Sequence, residues 1–369
     1  MNVRLRGIGR LQRLSRRVRR WGLPRALILL YHRVGDVHPD PHSLMVSARH
    51  FQEQLDVLCA QARPMHLTEL VQRMAEGTLP DRSVAVTFDD GYADNLTLAR
   101  PLLQRYSVPA SVFVATGTLT GQREFWWDEL AQMLLSPGTL PSRLVFHIRG
   151  QMSEWAVGAS EYSVEAFNRH RSWKVSDEWT PSRRHDLYRS LCVQLRPLPD
   201  QEREAVLREI RMQTGTPAAV RPSHRTLRPE ELIELTDGGL VDVGAHSVTH
   251  PVLGGLPQSA QEHEIRHSKQ RLEEILGRQV KSFTYPHGGL FDFSSTTVAA
   301  VRDAGFAYAC SASAGLVFRD VSLHLLPRMF VRNWDGEEFA ERLESWFDER
   351  PAVVYSQWSS SPRGRRIAL

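Results

Sequence analysis

Two neighbouring carboxylates and a pair of histidines are the residues best suited to hold a metal ion and activate water. Asp89 and Asp90 follow the strand-like run Ser83–Phe88, and His246 and His250 follow a second such run. Two histidines and one carboxylate can bind a divalent ion and leave positions open for water and substrate. Because adjacent residues at a strand end point in different directions, one carboxylate can bind the ion while the other accepts a proton.

The four-residue spacing of the histidines is not specific by itself. The pair His38/His42 has the same spacing but is interrupted by prolines, which predict a loop. The pair His263/His267 belongs to a His-Glu-x-x-His motif, typical of zinc proteases. At 100° per residue both of its histidines fall opposite the apolar stripe that contains Leu272. We therefore expect them to face solvent, and the zinc protease remains the less favoured alternative.

The elements that must position these residues alternate between strands and helices. This alternation predicts a parallel α/β sheet or barrel, in which chemistry lies at the carboxyl ends of the strands. The predicted strands are Leu27–His32, Ser83–Phe88, Ala110–Ala115, Leu240–Gly244, Val280–Tyr285, Phe306–Ser311 and Leu323–Val331. The predicted helices are Ala48–Ala60, Asp94–Tyr106, Pro229–Thr236, Gln258–Leu276, Ser294–Ala304 and Glu337–Glu349.

Residues 126–228 break this alternation. The segment contains arginine clusters and weakly periodic helices such as Asp200–Met212. We interpret it as a helical insertion that forms a lid or a small subdomain. Trp126 and Trp127 at its start could stack on sugar rings, but large aromatic side chains are more often packed in a core, which we favour for this pair.

The positive charge of the chain is concentrated at its amino end. Residues 1–25 contain nine arginines and no acidic residue, whereas the whole chain of 369 residues has a net charge of +4. The arginines alternate with apolar residues at helical spacing, which predicts a basic amphipathic helix able to lie on an anionic membrane surface. The remainder of the chain is acidic, which argues against a nucleic-acid partner.

The composition also bears on localisation. We recognise no secretory signal peptide and no transmembrane run, and the three cysteines are too scattered for a disulfide framework. These features favour a cytoplasmic protein, which the basic helix would allow to be peripheral on the inner membrane. We expect residues 356–369 to form a disordered basic tail.

Three motifs, spread along the chain in a fixed order, carry a family resemblance. They are Thr87-Phe-Asp-Asp-Gly-Tyr, Gly244-Ala-His-Ser-Val-Thr-His and Phe283-Thr-Tyr-Pro-His-Gly. Together they resemble the polysaccharide deacetylase (NodB-homology) family, carbohydrate esterase family 4. The resemblance implies a distorted (β/α) barrel over residues 26–355, interrupted by the insertion. It also implies a metal-dependent hydrolase that removes N-acetyl groups from amino sugars of a cell-envelope glycan or an exopolysaccharide.

The resemblance also assigns roles to residues. Asp90, His246 and His250 would bind the divalent metal, most simply Zn²⁺, and Asp89 would be the general base. The family's general acid is a histidine ending a late Leu-x-His strand, a pattern that this chain has instead at its first strand, ending in His32. The chain thus resembles the circularly permuted branch of the family, with His32 as the general acid.

Two positions depart from the family's third motif. Thr284 stands where the family has an arginine that pairs with the base, and His287 stands at an aromatic position. We predict that Arg328, from another strand, supplies the missing cation. The departure leaves a second alternative open, a non-catalytic pseudoenzyme that binds a glycan or a membrane. The intact Asp89 argues against that alternative.

Overall fold

The computed structural model describes residues 24–158 and 161–348. Within them the strands, in chain order, are β1 (Ala26–Tyr31), β2 (Arg33–Val34), β3 (Met45–Val46), β4 (Arg63–Pro64), β5 (Ser83–Phe88), β6 (Ala110–Val114), β7 (Gly138–Thr139), β8 (Arg143–Ile148), β9 (Gln151–Ala156), β10 (Glu161–Tyr162), β11 (Val241–Ala245), β12 (Ser282–Thr284), β13 (Tyr308–Cys310) and β14 (Met329–Phe330). The α-helices are α1 (Ala48–Gln61), α2 (Leu67–Glu76), α3 (Arg100–Tyr106), α4 (Trp126–Leu135), α5 (Val164–His170), α6 (Arg183–Leu195), α7 (Asp200–Thr214), α8 (Pro229–Thr236), α9 (Gln258–Leu276), α10 (Ser295–Asp303) and α11 (Gly336–Asp348).

Eight of these strands form one parallel sheet. Its order is β13-β12-β11-β6-β5-β1-β14, and β4 pairs with β5 beside that path. Strands β1, β5 and β6 are buried along their whole length, because helices cover the outer face of the sheet. The continuous apolar runs of these strands, rich in valine, leucine and isoleucine, are typical of such doubly covered strands.

The sheet curls into a distorted (β/α) barrel, as the sequence predicts. The segment from Leu326 to Phe330, which includes β14, lies between β13 and β1. Leu326 bridges to Cys310 of β13, and Met329 pairs with Leu29 of β1. Strand β1 therefore lies between β5 and β14, which brings the first and the last strands of the barrel together.

The late strand is shorter than predicted. The sequence predicts a strand over Leu323–Val331, but only Met329–Phe330 pairs regularly. Pro327 has no amide hydrogen to donate, and Arg328 donates its backbone amide to Ser313 instead of to a neighbouring strand. The prediction of one long strand is wrong because the segment changes partner half-way along.

The insertion has its own apolar core. Leu130 and Leu134 of α4 pack with Leu187 and Leu191 of α6, and α7 covers the same cluster. Trp126 and Trp127 are buried in it, as the sequence favours. The antiparallel hairpin β8–β9 packs on α7 and adds a sheet to the helices that the sequence predicts.

The predicted basic helix of residues 1–25 and the predicted tail of residues 356–369 fall outside the described residues, apart from positions 24 and 25. Between positions 24 and 348, no helix has both the length and the apolar composition needed to cross a lipid bilayer.

Candidate active site

The predicted site residues meet at one edge of the barrel. Asp89 and Asp90 directly follow β5, and His246 and His250 lie in the loop after β11. Strand β6 lies between these two strands, so their carboxyl ends face the same side of the barrel. All four side chains are buried, which is unusual for ionisable groups that lack a specific partner.

Asp90, His246 and His250 form a group able to hold a metal ion. The Oδ1 atom of Asp90 lies 3.6 Å from Nε2 of His246 and 3.4 Å from Nε2 of His250. Ligand atoms around a tetrahedral zinc ion lie about 3.3–3.6 Å apart, given its usual bond lengths. Among the described residues this is the one group of three or more metal-ligating side chains whose ligand atoms converge.

The surroundings of these three side chains also fit a cation. Oδ1 of Asp90 is buried and has no hydrogen-bond partner. Burial, reinforced by the charge of Asp89, raises the pKa of Asp90 well above its usual range. The Nδ1 atom of His246 lies 2.9 Å from the carbonyl oxygen of Thr284. A proton on that nitrogen leaves Nε2 as the lone-pair donor toward Asp90, the arrangement that metal-ligating histidines need.

The backbone around the site is strained. Asp90, Ser247, His250 and His287 adopt positive φ values of 76°, 64°, 55° and 61°. Residues with side chains rarely adopt this region, and such outliers persist where packing enforces them. Gly91 also has a positive φ, and a Cβ atom there would lie 2.9 Å from a methyl group of Val114. The glycine of the first motif is therefore required both by its conformation and by space.

Asp89 makes a two-pronged ion pair with Arg328. Nη1 and Nη2 of the arginine lie 2.7 Å and 2.6 Å from the two carboxylate oxygens, and both side chains are almost fully buried. Nε of Arg328 donates to the carbonyl of Ser311 at 2.9 Å, which fixes the guanidinium. Burial alone would raise the pKa of Asp89, but the charge and hydrogen bonds of Arg328, together with the charges of His246 and His32, outweigh burial and lower that pKa. Asp89 is therefore ionised at neutral pH.

Thr284 occupies the space beside this pair. Its hydroxyl lies 3.4 Å from Oδ1 of Asp89 and 2.5 Å from Nδ1 of His246. The threonine thus touches both halves of the site, while the cation comes from Arg328 on the segment that closes the barrel. This is the geometry expected from the sequence for the departure at position 284.

His32 lies at the end of β1, next to the strand that carries Asp89. Its ring stacks on Phe330 with centroids 5.0 Å apart, and its Nδ1 atom has no hydrogen-bond partner. Burial lowers the pKa of His32 to about 3, against the raising effect of the Asp89 charge. The imidazole is therefore neutral before substrate binds.

The chain matches the family model for polysaccharide deacetylase over residues 76–141 and 206–309. The chain belongs to the polysaccharide deacetylase family. The match identifies it as a deacetylase-type hydrolase. The unmatched residues 142–205 lie inside the predicted insertion.

Solved structures with the deacetylase fold resemble the whole described barrel. Streptococcus pyogenes deacetylase PplD in complex with acetate has a TM-score of 0.55 and 16% identity, with 87% of this chain and 99% of that chain covered. IcaB from Ammonifex degensii has a TM-score of 0.53 and 18% identity, with 88% and 98% covered. A de-N-acetylase from Aggregatibacter actinomycetemcomitans has a TM-score of 0.52 and 12% identity, with 86% and 99% covered. At these identities the likeness shows the fold. No curated protein matches the chain.

The deacetylase contains a supporting residue that the motif analysis did not assign to this site. Glu264, on α9, accepts hydrogen bonds from the backbone amides of Val248 and Thr249 at 2.7 Å and 2.8 Å, and from the Thr249 hydroxyl at 2.7 Å. It therefore holds the loop between His246 and His250. This glutamate belongs to the protease-like His-Glu-x-x-His motif, whose two histidines are exposed, as predicted.

Three aromatic or imidazole rings surround His250. The centroids of Trp127, Phe125 and His287 lie 5.2, 5.8 and 4.6 Å from the centroid of that ring. His42, of the proline-interrupted pair, contacts Trp127 from the far side at 6.5 Å. The insertion and the loop around His42 thus pack against the side of the site that carries His250. Sequence spacing carries no signal for His42, because its contacts come from distant parts of the chain.

Proposed function

We propose that the protein is a metal-dependent deacetylase that removes N-acetyl groups from amino sugars of a cell-envelope glycan or an exopolysaccharide. The observation that carries the proposal is the buried pair of adjacent carboxylates with different partners. Asp90 faces two histidines with an unpartnered oxygen, and Asp89 faces an arginine. One acid is thus suited to hold a cation and the other to accept a proton.

Asp90, His246 and His250 would hold the divalent ion, most simply Zn²⁺, which on binding supplies Lewis acidity to water and to the acetyl carbonyl. Asp89, kept ionised by Arg328, would accept a proton from the attacking water. The arginine also fixes the direction of the carboxylate, because both of its oxygens are held. Thr284 and the carbonyl that it carries would orient His246.

His32 would donate a proton to the departing amine. Its low pKa in the free protein results chiefly from burial. Negative charge that develops on the substrate during attack raises the affinity of a buried imidazole for a proton, so the acid is formed only when it is needed. The chain's similarity to a deacetylase solved with acetate supports acetate as the product.

The test is acetate release by the full chain from chitin oligomers, poly-N-acetylglucosamine and peptidoglycan with added Zn²⁺. We expect Asp89→Asn to lower kcat about 100-fold or more and to keep the bound metal, since loss of a general base commonly costs 10²–10⁴-fold. His32→Ala should likewise lower kcat and keep the metal. Asp303→Asn, at an exposed position at the end of α10, is the matched control.

Retention of wild-type turnover by Asp89→Asn would refute the proposed base. Absence of acetate release from every glycan by the wild-type, metal-loaded protein would refute the proposed activity and would favour the pseudoenzyme alternative.

A further inference from the structure

Arg332 is a half-buried cation held against the loop around His42. Its Nη1 atom donates to the carbonyl oxygens of His42 at 3.2 Å and Ser43 at 3.0 Å. Its guanidinium carbon lies 3.9 Å from the centroid of the Phe330 ring. The side chain is half-buried and is held only by neutral groups. In residues 24–158 and 161–348, no carboxylate oxygen lies within ion-pair distance of it.

The position of Arg332 connects it to the catalytic groups. The Phe330 ring contacts the guanidinium of Arg332 and also stacks on the ring of His32, with the two ring centroids 5.0 Å apart. The charge of Arg332 is among the effects that lower the pKa of His32, after burial. The His42 residue that receives its hydrogen bond lies against Trp127, which contacts His250. Arg332 is therefore one ring away from the proposed acid and lies beside the rings that pack on His250.

Other arginines near the site already have acidic partners. Arg328 pairs with Asp89 inside the site. Arg196 pairs with Asp292 at 2.5 Å, and Arg203 pairs with Asp200 at 3.0 Å.

The charge of Asp40 raises the pKa of Arg332. Both carboxylate oxygens of Asp40, however, accept hydrogen bonds from the backbone amides of Leu44 and Met45. Burial lowers the pKa of Arg332, which reflects the cost of a half-buried charge without a partner. A ligand anion would remove that cost.

We propose that Arg332 binds a carboxylate or phosphate on the sugar next to the N-acetylated one, so that the preferred substrate is an acidic glycan. The inference rests on the proposed function and names its substrate class. With Nη1 engaged by carbonyls, Nε and Nη2 remain for an oxyanion, and the planar guanidinium suits two-pronged binding of either anion. The phenyl ring beneath it keeps the group in place.

The experiment compares three substrates of equal length with the full, Zn²⁺-loaded chain. They are a neutral N-acetylglucosamine oligomer, an oligomer in which N-acetylglucosamine alternates with glucuronate, and an N-acetylglucosamine oligomer that carries a phosphate. We expect the wild type to have at least tenfold higher kcat/KM for one of the two acidic substrates, chiefly through KM. The substrate preferred in this comparison identifies the anion as carboxylate or phosphate.

Variants separate recognition from a general structural effect. Arg332→Gln should reduce the ratio of acidic to neutral kcat/KM about tenfold, and Arg332→Lys should retain part of it. Arg342→Gln is the matched control, because Arg342 also lies over an aromatic ring, Trp334 at 4.0 Å, but pairs with Glu338 on α11. The control should keep the wild-type ratio.

Two outcomes would overturn the inference while leaving the proposed function intact. One is equal kcat/KM of the wild type for neutral and acidic oligomers. The other is an equal loss on all three substrates in Arg332→Gln, which would assign the arginine to the support of His32. Failure of the wild type to release acetate from any oligomer would instead overturn the proposed function, and this inference with it.

Discussion

Two histidine pairs with the same spacing have opposite surroundings in this deacetylase. His246 and His250 are buried in a loop, converge on Asp90, and have ring centroids 4.8 Å apart. His263 and His267 lie on the exposed face of α9, with centroids 4.0 Å apart. The rings of His263 and His267 are thus closer together, but only His246 and His250 both have a nitrogen near the carboxylate of Asp90.

The comparison teaches that convergence and burial make a metal site, whereas spacing alone does not. A helix places residues i and i+4 on the same face, but in α9 that face points to water. The loop pair meets a third potential ligand, Asp90, from another strand, and its low-dielectric surroundings would strengthen any interaction with a cation. The exposed motif contributes differently, because its Glu264 turns inward and holds the loop of the buried pair.

The largest expected effect comes from removing one histidine from each pair. His246→Ala removes one of three ligands, and we expect at least a 100-fold loss of Zn²⁺ affinity together with loss of acetate release. His263→Ala should keep both within twofold. Competition titration with a chromogenic chelator measures the affinity. If His263→Ala alone lost the metal, the assignment would be reversed and the protease alternative restored.

A smaller effect is expected from the glutamate that connects the two motifs. Glu264→Gln leaves one oxygen for the two backbone amides, but it places an amide nitrogen beside the Thr249 hydroxyl and removes the negative charge that strengthens all three hydrogen bonds. Residues that support metal ligands commonly change affinity 10- to 100-fold when they are replaced. We expect a loss of this size in Zn²⁺ affinity.

Glu262→Gln, on the same helix, is the control for this effect, because Glu262 contacts Gln258 near the surface and lies away from the loop. A Glu264→Gln protein with wild-type affinity would show that the loop keeps its shape without the carboxylate.

The smallest effect concerns pH and compares His42, which packs against Trp127, with an exposed histidine. Burial, with the charge of Arg196, lowers the pKa of His42 to about 4. An unfolded chain has a histidine pKa near 6.5, so the unfolded state binds the proton first. The contribution of this histidine to stability is complete above about pH 6.5 and is lost as the pH falls toward 4.

Between pH 7 and 4.5 the metal-free wild type should therefore lose about 2 kcal/mol more free energy of unfolding than His42→Gln. Urea unfolding at the two pH values measures the difference. The exposed control, His263→Gln, should follow the wild type. Equal losses in the wild type and in His42→Gln would mean that His42 is not shielded from water in solution.

Much of the site could be predicted because it depends on local sequence. The strand before Asp89 is buried along its whole length, and the strand before His246 is buried except at Asp242, as expected for strands of a covered parallel sheet. Parallel strands bring their carboxyl ends to one edge, so the meeting of the two motifs follows from the strand prediction. Arg328 could be predicted because Thr284 stands where the family has an arginine, so the charge of Asp89 needed a cation from elsewhere in the chain.

The remainder depends on contacts between distant segments. Glu264 supports the loop between His246 and His250 across 15 and 16 residues, and no periodicity of α9 distinguishes it from other glutamates on that helix. The hairpin β8–β9 alternates weakly because one of its strands, β9, is largely exposed on both faces. The change of pairing partner at Pro327, from β13 to β1, could not be predicted because the mainly apolar segment around it resembles one strand.

The segment from Leu326 to Phe330 has a consequence for the order of folding. It completes the ring of strands, and the same five residues deliver the guanidinium that neutralises Asp89. Until this late segment docks, the carboxylate after β5 has no counter-charge and resists burial. The chain therefore cannot bury the proposed base with its counter-charge on an open, half-folded sheet, and we expect acetate release to appear only together with the complete barrel.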